Sequence, residues 1–409
     1  MRIFWVSVSP DAATGYGRVT REVVSRLLDR HEVICIGHSA DVIVWGGRRY
    51  VRLPNGREVL TLSMTNPLID EKSCLEIIKA YVSRFKPDLL IAHWDAMAIS
   101  VFPRAGLPSI CYVPIDGYMT YKWSQYLKDY YLIVTYSMFG YNQLLRYFPP
   151  SRVRMIYHGI DTDRFKPLRI SREELISEIN KLYTPPIPED AFIITNVAAN
   201  IGPRKNIPLL LRAFKKFSEE HRDAHLILHT NLYARMGRGY DLPMIIDELG
   251  IKDRVHYPVI NPILYGYDDE DMVKLYNVTD VYVSLSVAEG FGYPILEAMS
   301  CGTPVIAPRN SSHVELIEGH GWLVDNIPED EYVIYPVYVP YGTIYPAPSI
   351  KSFLEKLEEA YSDDGLREKY GRLSREFSLQ FDWRLIMPKW FKLLDEIEDD
   401  ISILRSIIE

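Results

Sequence analysis

The stretch that most constrains this chain runs from Asp280 to Gly302. A short β-branched and aromatic run, Asp280-Val281-Tyr282-Val283-Ser284-Leu285, leads into a turn carrying Glu289, Gly290, Phe291, Gly292 and Tyr293, and then into Pro294-Ile295-Leu296-Glu297-Ala298-Met299-Ser300-Cys301-Gly302. The run has the character of a buried strand. Pro294 suits the first position of a helix and Gly302 the position just past its end, so the pattern predicts a helix over Ile295–Cys301. A strand, a Gly-rich turn and a helix in that order aim unpaired backbone N–H groups at whatever lies over the carboxyl edge of a sheet, and an anionic group such as a phosphate fits there. Two carboxylates frame the place: Glu289 on the turn and Glu297, expected in the first helical turn. A carboxylate accepts two hydroxyl hydrogen bonds at once, as a sugar diol requires.

From Ser286 the string Ser-x-x-Glu-Gly-Phe-Gly-x-Pro-x-x-Glu-Ala-Met-x-Cys-Gly-x-Pro-Val-Ile resembles the signature of the family-4 retaining glycosyltransferases. These have the GT-B architecture, two facing Rossmann-like α/β domains with a terminal helix that crosses back to the first. The resemblance implies that Glu297 holds the ribose hydroxyls of a nucleotide-sugar donor, that Glu289 holds the sugar hydroxyls, and that Gly290, Phe291, Gly292 and Tyr293 lie against the donor. The plainer reading is that Glu297 caps its helix and the glycines only turn the chain.

The same strand, Gly-containing turn and helix occur twice more. The chain opens on a strand over residues 2 to 9, followed by Pro10-Asp11-Ala12-Ala13-Thr14-Gly15-Tyr16-Gly17-Arg18 and an amphipathic helix to about Asp29. Gly15 and Gly17 predict close backbone approach to a ligand. A nicotinamide dinucleotide is a poor guest, because the spacing is not Gly-x-Gly-x-x-Gly and the next strand, Val33 to His38, does not end in an acidic residue. The family has a Gly-rich loop here against the donor diphosphate, and Gly15, Gly17 and Arg18 match its position. Later, Phe192–Ala198 leads through Ala199-Asn200-Ile201-Gly202-Pro203-Arg204-Lys205-Asn206 into a helix from Ile207 to about Glu220. Arg204 and Lys205 place positive charge beside that helix start, which suits a departing diphosphate. The family carries an arginine five residues before the lysine, where this chain has Asn200, so the cationic role falls to Lys205 first and Arg204 second.

Between these units the sequence predicts strands within 43 to 65 joined by a hairpin at Pro54-Asn55-Gly56, a helix over Leu75–Phe85, and strands at Asp88–Asp95 and Ser109–Gly117 that deliver side chains to the carboxyl edge of a sheet. Family members end the second of these strands in His-Asp. Here Ile115 stands in the histidine position and Asp116 remains, which makes Asp116 the candidate for the acceptor hydroxyl; it also reads as a turn residue before Gly117. His93 reads as a strand-end histidine with satisfied hydrogen bonds. Asp161-Thr162-Asp163 has the letters of a metal-binding Asp-x-Asp, but its place before a linker predicts turning and capping. Residues 166 to 190, charged and ending in Thr184-Pro185-Pro186-Ile187-Pro188, predict a linker, and the segment 328 to 349 with Tyr332, Tyr335, Tyr338, Tyr341 and Tyr345 predicts an extended insertion or a stacking platform for sugar.

At 409 residues two domains are the prior, drawn here as 1–165 and 166–383, with 384–409 the returning helix. A net charge of −8 gives no basic footprint for nucleic acid. Cys35, Cys74, Cys111 and Cys301 lack CxxC spacing and read as buried thiols of a reducing compartment. The N-terminus lacks a signal-peptide pattern and no apolar run is long enough to span a bilayer. The expectation is a cytoplasmic protein, with peripheral contact to the inner membrane face open to it. With the resemblance, the expected activity is a metal-independent retaining transfer of a hexose from a nucleoside-diphosphate sugar to a glycan, lipid-linked or small-molecule acceptor, without a cofactor. The alternatives are a catalytically silent nucleotide-sugar-binding module, or a phosphorylase or epimerase on the same fold.

Overall fold

A computed structural model describes residues 1–38, 48–233, 239–262, 266–328 and 343–408. The chain divides into two compact units: Met1–His158 with Val339–Ile344 and Trp383–Glu409, and Gly159–Tyr338 with Tyr345–Asp382. The first unit thus ends at His158 rather than at 165. The reason lies in the next residues, where Ile160 bridges to Asp382 and the Thr162 hydroxyl bonds the Asp382 carboxylate, both within the second unit.

The first unit is built on β1 (Arg2–Val8), β2 (Glu32–His38), β3 (Arg48–Arg52), β4 (Glu58–Ser63), β5 (Leu89–Ala92), β6 (Ser109–Val113), β7 (Tyr118–Met119), β8 (Leu132–Thr135) and β9 (Val153–Met155). Eight of these strands form one sheet in the order β3-β4-β2-β1-β5-β6-β8-β9. All its pairs are parallel except β3 with β4. Strands buried on both faces read as unbroken apolar runs, and β5 and β6 are buried throughout. The expected hairpin is the antiparallel β3–β4 pair, closed by Leu53 N–H to Arg57 C=O at 2.8 Å; residues 43–47 of that prediction lie outside the described residues. The helix Glu71–Phe85 starts before the predicted Leu75, because the Asp70 carboxylate caps it by accepting from Ser73 N–H at 3.0 Å.

The terminal helix Trp383–Ile408 belongs to this first unit. Its Trp390 is fully buried, with its ring centroid 4.8 Å from Tyr112 and 6.0 Å from Trp5, and Arg26 lies over the Trp383 ring. The helix thereby covers one face of β1 and β6.

The second unit contains β10 (Tyr183–Thr184), β11 (Phe192–Val197), β12 (Ala224–His229), β13 (Val255–Pro258), β14 (Val281–Val283), β15 (Val305–Pro308) and β16 (Trp322–Val324). Their order is β10-β13-β12-β11-β14-β15-β16, parallel but for β10 against β13. The helix Ile207–Glu220 follows β11 as expected, with Leu210, Leu211, Phe214 and Phe217 inward. The expected linker is a correction: residues Arg172–Ile179 form a helix capped by Ser171, with Glu173 and Glu174 in its first turn, and Tyr183–Thr184 pairs with β13. The acidic first turn and the serine cap favour helix there, and Arg172 ties it down by pairing with Asp280 at 2.7 Å.

Of the tyrosines in the 328 to 349 segment, Tyr332, Tyr335, Tyr338 and Tyr341 lie outside the described residues, and Tyr345 is buried, so it is no stacking platform. β17 (Thr343–Ile344) pairs antiparallel with β7 inside the first unit.

Trp390→Ala removes a fully buried tryptophan of the terminal helix. It should lower stability by about 3–5 kcal/mol, the range for truncating a core aromatic. Urea unfolding of the full chain checks this, and a midpoint equal to wild type would show that the helix packs elsewhere.

Candidate active site

In the second unit the strand order reverses direction between β11 and β14: β12 and β13 run out from one side, β15 and β16 from the other. Such a switch point opens a crevice at the carboxyl ends of the strands, where ligands of open α/β sheets bind. Registering Ile194 with Val281 and Thr195 with Tyr282 brings the two following loops, 198–206 and 284–292, side by side. Val287 N–H donates to Arg204 C=O at 2.9 Å and Ser286 Oγ donates to the same carbonyl at 3.1 Å, so the loops are joined through backbone. Gly202, at φ +121°, and Asn206, at φ +53°, flank the single turn Pro203–Lys205 and end it where the helix Ile207–Glu220 begins.

That turn points both cations at Glu289. Lys205 Nζ donates to Glu289 Oε1, and Arg204 Nη1 donates to Glu289 Oε2 at 3.1 Å and to Ala288 C=O at 2.8 Å. The three side chains are 14%, 27% and 14% exposed for Lys205, Arg204 and Glu289. Burial alone would raise the Glu289 carboxyl, but the charges of Lys205 and Arg204 outweigh it and hold the group well below the usual carboxylate range. A cleft lies over them, lined by Ala198, Lys205, Tyr282, Ser286, Glu289 and Gly292.

The helix after the turn begins at Tyr293, earlier than predicted, with Pro294 in its first turn and Gly292 at φ +95° before it. Only glycine takes that φ without strain. Tyr293 Oη donates to Gly159 C=O at 3.0 Å, and Phe291 packs edge-on against Phe381, so these two side chains serve the unit's own packing. Because the helix starts early, Glu297 stands in its second turn, not its first. Its carboxylate is buried and accepts from Tyr276 Oη at 2.6 Å. Gly290 sits between Glu289 and Phe291 on the turn. Asn200, where the family has arginine, is buried: its side chain accepts from Tyr240 N–H at 2.9 Å and donates to Tyr240 C=O at 2.7 Å, which fixes a neighbouring loop.

The first unit has its own switch point, between β1 and β5. Tyr16, in the first turn of the helix Gly15–Leu27 after β1, donates through Oη to Asp95 Oδ1, after β5, at 2.7 Å. Burial first, then the charge of Asp95, pushes the Tyr16 phenol well up, and Asp116 follows β6. A Cβ on Gly17 would meet Ala12 C=O at 2.3 Å, whereas nothing stands near Gly15. Gly17 is therefore required by the loop's own backbone, and the expected room for a ligand holds only at Gly15. His93 is fully buried, and burial takes it down to about 3, so it is neutral near pH 7. Its Nδ1 lies 3.2 Å from Ser7 Oγ while its Nε2 has no partner among the described residues, against the expected satisfied histidine. Asp161 Oδ1 accepts from Asp163 N–H and Arg164 N–H, both at 3.1 Å, which is the capping use expected of Asp161-Thr162-Asp163. Among the described residues no acidic, histidine or cysteine cluster of three has the placement to hold a metal.

Several residues that the sequence did not single out belong to these sites: Tyr16 and Asp95 in the first unit, Tyr276, Ser311, Ser312 and His313 in the second. Ser311 Oγ accepts from Glu289 N–H at 2.9 Å, and buried His313 is close enough to Glu289 for each to shift the other. Adjacency of β15 to β14 creates this neighbourhood, and no local pattern announces it.

Glu289→Gln should lower stability near pH 7 by roughly 3–5 kcal/mol, because it strands two buried cations. A depressed carboxyl contributes stability above its unfolded pKa and loses it as pH falls through the folded value. The gap between wild type and variant should therefore narrow as pH falls below about 4. Urea midpoints at pH 7 and pH 3 check this, and a gap that widens in acid would contradict the pairing.

The family described as glycosyl transferases group 1 matches residues 184–377. The O-antigen chain mannosyltransferase B of Escherichia coli is 26% identical over 337 residues, covering 76% of this chain and 83% of its own length. A D-inositol 3-phosphate glycosyltransferase of Mycobacterium sp. (strain KMS) is 28% identical over 180 residues, which cover 42% of this chain and 37% of that protein. The crystal structure of Anabaena Alr3699/HepE in complex with UDP and glucose superposes with a TM-score of 0.72 at 17% identity, over 97% of this chain and 100% of that one, and shares the fold. Residues 184–377 are thus similar to the group 1 glycosyltransferases, and the protein is a glycosyltransferase with the GT-B fold.

Proposed function

We propose that the protein is a family-4, retaining hexosyltransferase that uses a nucleoside-diphosphate sugar and needs no divalent metal. The observation that carries this reading is the Lys205–Glu289–Arg204 cluster on the Gly-rich turn at the second unit's switch point. Two cations beside the start of a helix suit a diphosphate, and a carboxylate among them suits sugar hydroxyls. In this reading Lys205 and Arg204 stabilise the charge that grows on the departing diphosphate, as preorganised donors do. Glu289 holds the transferred sugar, and Glu297, oriented by Tyr276, holds the ribose. Gly290 and Gly292 keep the turn's backbone close to the donor.

The acceptor, a carbohydrate or lipid-linked carbohydrate, falls to the first unit, with Asp116 assigned to its hydroxyl. The acceptor oxygen forms its bond to the anomeric carbon on the face from which the diphosphate leaves. The leaving phosphate oxygen takes the hydroxyl proton, and the electron pair of the broken bond goes to the diphosphate. Such a step needs positioning and charge stabilisation and no further base. Metal independence is supported by the capping role of Asp161, which commits one carboxylate of the Asp-x-Asp to backbone N–H groups. A cytoplasmic setting is supported by four free, buried cysteines, and no described helix is long and apolar enough to cross a membrane. Contact with the inner membrane face is compatible with a lipid-linked acceptor.

The test is transfer from UDP-, GDP- and ADP-hexoses to carbohydrate acceptors in excess EDTA, with the product anomer read by NMR. The expected result is turnover undiminished by the chelator and a product with the donor's anomeric configuration. An inverted product, or turnover lost in EDTA and restored by manganese, would overturn the proposal.

A further inference from the structure

The turn that carries Glu289 is soft by composition, since Gly290 and Gly292 flank Phe291 and leave its backbone few intrinsic restraints. It is held instead by two adjacent hydroxyls from another part of the unit. The helix Ser311–Ile317 follows β15, and its first two residues reach the turn. Ser311 Oγ accepts from Glu289 N–H at 2.9 Å, and Ser312 Oγ–H is shared between Glu289 C=O and Phe291 C=O, each at 2.9 Å. Three backbone groups within three residues are thus pinned from outside. Behind them, Asn310 Oδ1 accepts from Ser311 Oγ at 3.4 Å and from His313 Nδ1 at 2.9 Å, and Ser312 and His313 are fully buried.

Ser311 makes its contact from φ +42°, a conformation that glycine adopts freely and a side chain does not. A residue kept in such a region is over-determined by its surroundings, and the bond its side chain makes there is the specific gain to look for. Here that bond ends on the amide of the residue whose carboxylate faces Lys205 and Arg204.

We propose that Ser311 and Ser312 are positioning residues for sugar transfer: their hydroxyls fix the Glu289–Phe291 backbone so that the Glu289 carboxylate meets the transferred hexose in one orientation. This rests on the reading of Glu289 as the sugar's partner. The pins act on the sugar end of the donor and leave the nucleotide end alone, so their loss separates the two.

The experiment compares Ser311→Gly, Ser312→Ala, the double variant and Glu289→Gln with wild type. The binding probe is whichever of UDP, GDP and ADP wild type binds most tightly by calorimetry, and turnover is measured with the matching nucleotide-hexose. Ser311→Gly relieves the left-handed backbone, so its thermal midpoint should not fall. Its affinity for the nucleoside diphosphate should stay within about twofold of wild type, because those contacts are untouched. Its kcat should fall about ten- to a hundredfold, the scale of small misplacements of a reacting group, and the double variant should fall further. Full activity in Ser311→Gly and the double variant, beside an inactive Glu289→Gln, would overturn the positioning role while leaving Glu289's own role intact. A loss of kcat matched by a lost midpoint and lost diphosphate binding would also overturn it, as general destabilisation. Wild-type transfer by Glu289→Gln would instead remove the reading on which the proposal rests.

Discussion

A carboxylate as buried as Glu289 is stable as an anion only if cations meet it, and the second unit is arranged so that two do. Adjacent parallel strands β11 and β14 set their loops next to each other, the Val287 N–H and the Ser286 hydroxyl both donate to the Arg204 carbonyl and tie those loops, and Arg204 and Lys205 converge on one carboxylate. Nothing in this arrangement is local in sequence. It depends on sheet order, which brings together two turns 84 residues apart. Under the proposed function a donor diphosphate would offer the same two cations an anionic partner, exchanging the internal ion pair for an external one and turning the carboxylate towards sugar hydroxyls.

The first unit has the same architecture with different chemistry. At its switch point Tyr16, at the start of the helix after β1, bonds Asp95 after β5, with neutral His93 buried beside the Tyr16 ring. A carboxylate and a phenol stand at this crevice, where the second unit has cations paired with a carboxylate. The structural likeness to a solved GT-B protein covers both units.

What could be read from the sequence was what local rules determine. The helix Ile207–Glu220 and its inward residues, the Asn-Gly hairpin between β3 and β4, and the strand, turn and helix around Glu289 each carry their own punctuation. The helix Arg172–Ile179 was hidden because nearby prolines outweighed a serine cap and an acidic first turn. Glu297 was placed one turn too early because Pro294 was taken as the first helical residue, while the helix starts at Tyr293. Gly17 reads in the sequence as space for a ligand, whereas the obstacle to a Cβ is the loop's own Ala12 carbonyl. Asn200 looked like a lost cation and instead clamps the backbone of Tyr240. Ser311 and Ser312 carry no signal that one-dimensional reading could find, since their partners arrive through strand adjacency.

Glu289 neutralises Lys205 and Arg204, and we propose that the donor takes its place there. The measurement that tests it most directly is calorimetric titration of wild type and Glu289→Gln with UDP, GDP and ADP, alongside sugar transfer by both proteins. If the carboxylate competes with the diphosphate for the two cations, the variant binds its preferred nucleoside diphosphate at least as tightly as wild type while transfer collapses. If the variant loses diphosphate binding together with transfer, Glu289 is a partner of the nucleotide, and the account of ion-pair exchange is wrong.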